Sequence, residues 1–365
     1  MRTKSLRGSL LAAAIGVALE TPTSAEVPAE RMFQTAEVGL GVYAFLSPET
    51  NGPIPSSNVV AIVGDDGVLV VDSGRFPSLA RRMVAEIRRR TDRPVRFLVH
   101  THWHLDHIAA DEVFREAFPG LVVVSTAFTR QKIVEKQVPY LAAIDRTDAS
   151  YLDDLGSTLA KGTGRDGAPL SDERRRYLEA QVRDVRLEKE ELSGARLVVP
   201  GLTFENELRV HLGSREVRVA FLGRGNTAGD AVVIVPDANV VATGDLLVNP
   251  IPYGYGCHPA AWIRTLAALT AIDAAAIVPG HGPVLRDWSY AAKVSALLEE
   301  IERQVAAQVR QGATLEQTLA SVDLAAQRKS FAGESFQRGA AFDDFFARSA
   351  VERAYQEAKG AMAEE

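Results

Sequence analysis

Four residues that could hold a metal ion fall within one short segment: His102, His104, Asp106 and His107. Imidazole nitrogens and carboxylate oxygens packed this densely are the donor types that zinc and related divalent ions prefer. An extended backbone would project His102 and His104 to the same side. Asp106 and His107 then fall at the start of a helix, facing a second position beside the first. The chain has only seven histidines in 365 residues, so their crowding here is not a matter of composition. A divalent ion at such a place would acidify a water enough to make it a nucleophile near neutral pH. The chemistry indicated is hydrolysis, with Asp106 available to orient or deprotonate that water.

The elements that must position these residues alternate between strand and helix, as in α/β layered folds. Residues 41–47, 59–63 and 68–71 read as strands, with Gly64-Asp65-Asp66-Gly67 turning between the last two. A helix over 76–90 ends in basic residues, which suit a helix C-terminus. A short strand at 97–99 runs into the histidine segment, followed by a helix at 108–118 and a strand at 121–124. From about 126 to 192 the pattern is helical and charged, with Ser171 as N-cap of a helix reaching about residue 190. That insertion reads first as a solvated face, because charge runs usually mark one; the other reading is a lid over the site. Strands resume at 201–222, 232–235, 240–242 and 276–278. Residues 289–365 read as a helical extension, docked by Phe342, Phe345 and Phe346.

Composition narrows the function further. Hydrophobic residues make up 46% and charged residues 24%, a globular balance, and the net charge is −6. With no Lys/Arg-rich run, nucleic-acid binding has little electrostatic support. The single cysteine, Cys257, excludes an intrachain disulfide and a cysteine-rich zinc knuckle. Residues 1–25 have the layout of a secretory signal peptide. Arg2, Lys4 and Arg7 precede a short apolar run, and Thr23-Ser24-Ala25 offers a cleavage site. A periplasmic or secreted protein without stable membrane insertion is therefore expected. Its partner would be a small-molecule substrate, and the oligomeric state stays open.

The His-x-His-x-Asp-His run resembles the signature of the metallo-β-lactamase superfamily, and the family's other landmarks follow in order. They are Asp72-Ser73-Gly74 at a strand end, Gly225-Asn226-Thr227-Ala228-Gly229-Asp230, Thr243-Gly244-Asp245 and Pro279-Gly280-His281-Gly282. The resemblance implies a four-layer αββα sandwich over residues 26–288, interrupted by the insertion. It further implies that His102 and His104 hold a first zinc, that Asp106, His107 and His281 hold a second, and that Asp245 bridges both. Asp72 would anchor the histidine loop from outside. Asn226 stands where the family usually has a third histidine for the first zinc. A carboxamide oxygen is a weaker zinc donor than imidazole, so one firm site and one weaker site are expected.

His104 stands where redox diiron relatives carry glutamate, which favours hydrolysis over redox chemistry. Tyr253, Tyr255 and His258, in the loop after Asp245, are candidates for the substrate pocket; a helix-entry loop is the alternative. His100 reads as a supporting residue and His211 as structural. The substrate would be an ester, lactone, thioester or β-lactam, with Asp245 pointing toward the glyoxalase II and lactonase branches. The other reading is a non-catalytic metal-binding periplasmic protein whose first site has decayed through Asn226.

Overall fold

The computed structural model describes residues 31–49, 55–164 and 167–361. The segment read as a signal peptide lies outside the described residues. Among the described residues twelve strands form two sheets, and the alternation of buried side chains explains why they stack. The seven-stranded sheet runs in order from β1 to β7. Its strands are β1 (Gln34–Gly39), β2 (Val42–Leu46), β3 (Val59–Val63), β4 (Val68–Val71), β5 (Val95–Val99), β6 (Val122–Thr126) and β7 (Leu202–Phe204). The five-stranded sheet is ordered β12-β11-β10-β9-β8, from β8 (Glu207–Leu212), β9 (Arg215–Phe221), β10 (Ala231–Val235), β11 (Val240–Val248) and β12 (Ala276–His281).

Along β10, Ala231, Val233 and Val235 join the core between the sheets, where Val60, Ile62, Leu69 and Val71 of β3 and β4 meet them. Val232 and Ile234 point the other way. They pack with Trp262 and Leu266 of α8 (Pro259–Thr270) and Val294 and Leu298 of α9 (Ser289–Arg310). On the opposite side, Val59, Ala61, Val68 and Val70 bury against α1 (Pro77–Arg90) and α3 (Asp111–Ala117) through Leu79, Met83 and Phe114. Helix, sheet, sheet and helix therefore form four layers, as the resemblance implied. Each fully buried Val, Leu or Phe contributes about 1.5–3 kcal/mol to holding them together.

The helix expected over 108–118 is two pieces. The four-residue α2 (Leu105–Ile108) ends at Ala109, and α3 starts at Asp111. The break lets Asp106 and His107 occupy a first turn of their own, aimed by the loop rather than by the longer helix. The insertion holds α4 (Ala127–Lys132), a π-helical turn at Ile133–Gln137, α5 (Val138–Ala142), α6 (Ile144–Lys161) and α7 (Asp172–Leu192). Ser171 does cap α7, its side chain accepting a hydrogen bond from Arg174 N at 3.1 Å. The insertion's solvated face is only part of the account, because Ile144, Leu155, Tyr177, Gln181, Asp184 and Glu188 are buried.

The C-terminal extension continues from α9 through α10 (Leu315–Ser321), α11 (Ala325–Ala332), α12 (Phe336–Phe342), a π-helical turn at Asp343–Ala347 and α13 (Arg348–Ala358). Phe342 and Phe346 are fully buried in the outer core of the five-stranded sheet. No described helix is long and apolar enough to cross a membrane.

A half-buried acid pair sits in this extension. Glu302 in α9 is pushed up to about 7 by burial and by the nearby Glu357 of α13. Glu357 is itself engaged, accepting a hydrogen bond from Ala260 N at the start of α8. A carboxyl whose folded value is raised stabilises the fold fully below its unfolded value, near 4.5, and loses that contribution as pH rises through about 7. Glu302→Gln mimics the protonated acid. It should raise the melting temperature at pH 8, with the gain shrinking at pH 5 in parallel scans.

Candidate metal centre and active-site cavity

The donor residues gather where strands of both sheets end. Ligand sites in open α/β sheets typically lie outside the carboxyl ends of the strands. Asp72 follows β4, His102 and His104 lie in the loop after β5, Asp245 is within β11 and His281 closes β12. Asp72 adopts the left-handed region, with φ at 59°, which asparagine and aspartate tolerate better than other side chains. The turn lets its carboxylate accept from Thr101 N at 2.8 Å and Thr101 Oγ1 at 2.9 Å, and approach His107 Nδ1 at 2.8 Å. His107 Nε2 is thereby aimed away from Asp72 and into the cluster. At Gly280 a Cβ would come within 2.0 Å of Asp245 Oδ1, so glycine is what lets β12 approach β11 beside the cluster.

Two groups of side chains could each hold a metal ion: His102, His107 and Asp245, and Asp106, His107 and His281. In the second group Asp106 Oδ2 lies 3.0 Å from His281 Nε2 and 3.6 Å from His107 Nε2. Asp245 Oδ1 lies 3.2 Å from His107 Nε2 and 3.6 Å from His281 Nε2. Donors at ordinary zinc–nitrogen and zinc–oxygen lengths on a tetrahedron are about 3.4 Å apart, so Asp106 Oδ2, His107 Nε2 and His281 Nε2 can share such an ion, with Asp245 Oδ1 close to the two imidazoles. His107 Nε2 and Asp245 Oδ1 are also buried without a hydrogen-bond partner among the described residues, as unfilled ligand atoms would be. Asp245 Oδ2 turns to the other group, 3.6 Å from His102 Nε2. His104 lies beside it, with Nδ1 2.9 Å from His102 Nε2.

Electrostatics point the same way. Burial and the neighbouring His107 hold the His102 imidazole well below its usual value, which favours the neutral form that can ligate a metal. Burial would lower His107 as well, but Asp245, Asp72 and Asp106 overcome it and raise that imidazole well above its usual range. Burial opposes ionisation of Asp106 too, yet His107, His281 and Arg75 hold its carboxyl well below the ordinary range. The cluster thus concentrates carboxylate charge in a buried place, an arrangement that a dication satisfies.

Asn226 is fully buried. Its Nδ2 donates to Tyr253 O at 2.6 Å, which leaves Oδ1 without a hydrogen-bond partner among the described residues. Tyr253 in turn sets its ring edge-on to His104, with centroids 5.4 Å apart. Burial, with Asp106 and Asp245 nearby, pushes its phenol far up, so it stays protonated.

A cavity of about 660 Å³ opens over the cluster, and His104, Asp106, Asp245 and His281 are among its lining residues. Tyr253 and Tyr255 line it, the latter 67% exposed at the edge. His258 does not line it, contrary to the reading of that loop. It is buried as the residue before α8, which starts at Pro259, and its N–H donates to Gly225 O at 2.9 Å, so it matches the helix-entry alternative for that loop. His100 is buried with Nε2 2.8 Å from Asp111 Oδ2, and His211 is exposed on β8. Cys257 is buried.

The sequence assigns no part in the cavity to several residues that also line it. Arg75 comes from the loop after Asp72, Tyr140 and Tyr177 from the insertion, and Arg338 and Phe345 from the C-terminal extension. The insertion is therefore a wall of the cavity as well as a solvated face. Only Arg75, three residues beyond Asp72, has a local signal that could have drawn attention to it.

A two-sheet sandwich with histidine and aspartate donors at the strand ends is the architecture of a class of metal-dependent hydrolases. Residues 52–281 match the Metallo-beta-lactamase superfamily, and the chain belongs to that superfamily. It is 26% identical over 233 residues to a linear primary-alkylsulfatase from Pseudomonas sp., a stretch covering 60% of this chain and 40% of that protein. The chain thus spans well under two thirds of that relative's length. In three dimensions it is similar to a stereoselective inverting sec-alkylsulfatase from Pseudomonas sp., with TM-score 0.58 and 16% identity, covering 89% of this chain and 50% of the other. It is also similar to a metallo-beta-lactamase from Pontibacter korlensis, with TM-score 0.52 and 18% identity, covering 73% of this chain and 99% of the other. At these identities the two structures speak to the fold alone.

Proposed function

We propose that the protein is a metal-dependent hydrolase acting on sulfate monoesters of apolar alcohols. The observation that carries this reading is the cavity. A polar donor cluster lies among its lining residues together with Val248, Ile251, Pro252, Ala341 and Phe345. An amphiphile with a small anionic head and an apolar tail matches that division, and Lys136, exposed at the cavity edge, favours an anion over a neutral ester. The sequence match to an alkylsulfatase supports the same substrate class.

Asp106, His107, His281 and Asp245 would hold one divalent ion, and His102, His104 and Asp245 another, with zinc the ion that suits these donors. Such ions supply Lewis-acid polarisation and a more acidic water. Asp106, kept ionised by its neighbours, accepts the proton of the attacking water. Tyr253, kept protonated, is a neutral donor for the leaving-group oxygen. The apolar wall excludes bulk water and seats the alkyl chain, so specificity for the tail resides in Ile251 and Phe345.

A panel of alkyl sulfates, lactones, thioesters and β-lactams, assayed on zinc-reconstituted protein, tests this directly. Sulfate release should dominate, and kcat/KM should climb with chain length by up to about fourfold per methylene, from about 0.8 kcal/mol of burial each. Faster cleavage of a lactone or lactam than of any alkyl sulfate would overturn the assignment.

The two metal positions are proposed to differ in strength, since Asn226 offers an amide oxygen where an imidazole would bind more firmly. Zinc titration should resolve a tight and a weaker site, and Asn226→His should tighten the weaker one. Two equally tight sites in the unsubstituted protein would contradict this. Export is proposed from residues 1–25, and protein recovered from cells should begin at Glu26 by intact mass.

A further inference from the structure

Three acidic residues of α7 turn toward the sandwich or its leading segment, Asp184 and Glu188 buried and Glu191 half-buried. Asp184, Glu188 and Glu191 are spaced by four and three along α7, so they share one face. Each meets a group of the sandwich or its leading segment. Asp184 pairs with Arg31, Glu188 with Arg75, and Glu191 with Ser78, accepting from Ser78 N at 3.0 Å. Only the middle contact leads to the donor cluster. Arg75 Nε donates to Pro55 O at 2.9 Å, its Nη1 pairs with Glu188, and its Nη2 stands 3.8 Å from Asp106 Oδ1.

The two oxygens of Asp106 therefore have different surroundings. Oδ2 faces His281 and His107, while Oδ1 faces Arg75. A guanidinium is a rigid planar fork, so a plane held at Nε and Nη1 has little freedom left at Nη2. Glu188 is 2% exposed, and a buried carboxylate deprived of its cation is strongly unfavourable, which keeps Arg75 in place.

We propose that Arg75 is a positioning residue that holds Asp106 with Oδ2 turned toward His107 and His281, and that Glu188 of the insertion orients Arg75 for that task. The insertion then forms part of the metal-binding apparatus. This rests on reading Asp106, His107, His281 and Asp245 as a metal site.

Zinc competition against a chromophoric chelator, on the full chain, tests the relay in Glu188→Gln, Arg75→Lys and Glu191→Gln, with melting curves for each. Glu188→Gln should loosen the tighter zinc at least ~10-fold, the scale seen for partners that orient metal ligands. It should also lower kcat on an alkyl sulfate while KM stays within about twofold. Arg75→Lys keeps the charge but lacks the fork, and it should loosen zinc to a similar degree. Glu191→Gln weakens the neighbouring tether of the same helix, and zinc affinity should stay within about twofold. Unaltered zinc affinity in Glu188→Gln, or equal loosening in Glu191→Gln, would overturn the relay. If Glu188→Gln does not fold, Arg75→Lys decides against the same control, and wild-type affinity there overturns the proposal. An unsubstituted protein that takes up no zinc would instead remove the metal-site reading on which the relay rests.

Discussion

Asp106→Asn should lower kcat/KM for the best alkyl sulfate by about 10³-fold or more, with little loss of folded protein. The carboxylate faces both histidines of the second donor group and is the residue assigned to accept the water proton. Asparagine keeps the volume and one oxygen but can accept no proton, and general-base roles of this kind are worth roughly 10²–10⁴-fold. Weakened metal retention adds to that loss. Far-ultraviolet circular dichroism and, at saturating zinc, the melting curve should stay close to wild type, because asparagine fills the same buried space as the aspartate it replaces. Activity within tenfold of wild type, measured at saturating zinc, would exclude Asp106 from the chemistry.

Removing the metal should lower stability as well as activity. Asp72, Asp106 and Asp245 are all buried around His107, and a bound dication would satisfy the negative charge they concentrate there. A ligand that binds only the folded state stabilises it by about 2.7 kcal/mol at a hundred times its dissociation constant. On the proposed pair of unequal sites, the melting temperature should fall by several degrees on chelation and recover on adding zinc, in two concentration ranges. A melting temperature indifferent to both chelator and zinc would rule out tight binding by the folded chain.

Much of this architecture was legible in the chain because the information is local. β3 and β4 fall at the expected residues, since alternating or continuous apolar runs between Gly and Asp turns leave few other readings. β1 was missed because Gln34, Thr35 and Glu37 give it a polar face, and it sits at the sheet edge, where one flank is uncovered. The histidine segment could be read because its spacing lies within six residues. His281 and Asp245 could be placed only through resemblance, since no periodicity connects residues so far apart.

The insertion shows where local reading stops. Its charges suggest a wet surface, yet Asp184 and Glu188 are buried against partners more than a hundred residues away in the chain. Which acids of a charged helix turn inward depends on tertiary partners, and helical spacing alone carries no record of them. For the same reason Phe345 was read only as a docking residue. It packs on Tyr253 at 6.2 Å and so belongs to the cavity wall as well.

The donors come from both sheets. His102, His104, Asp106 and His107 belong to the half built on the seven-stranded sheet, while Asp245 and His281 belong to the other. Neither half alone offers a complete set, so an ion can be retained only after the two have docked in register. Metal uptake during refolding would then follow the last assembly step, and a chain with one half misassembled would stay unloaded. Metal occupancy would in that sense be a report on whether the molecule has been put together correctly.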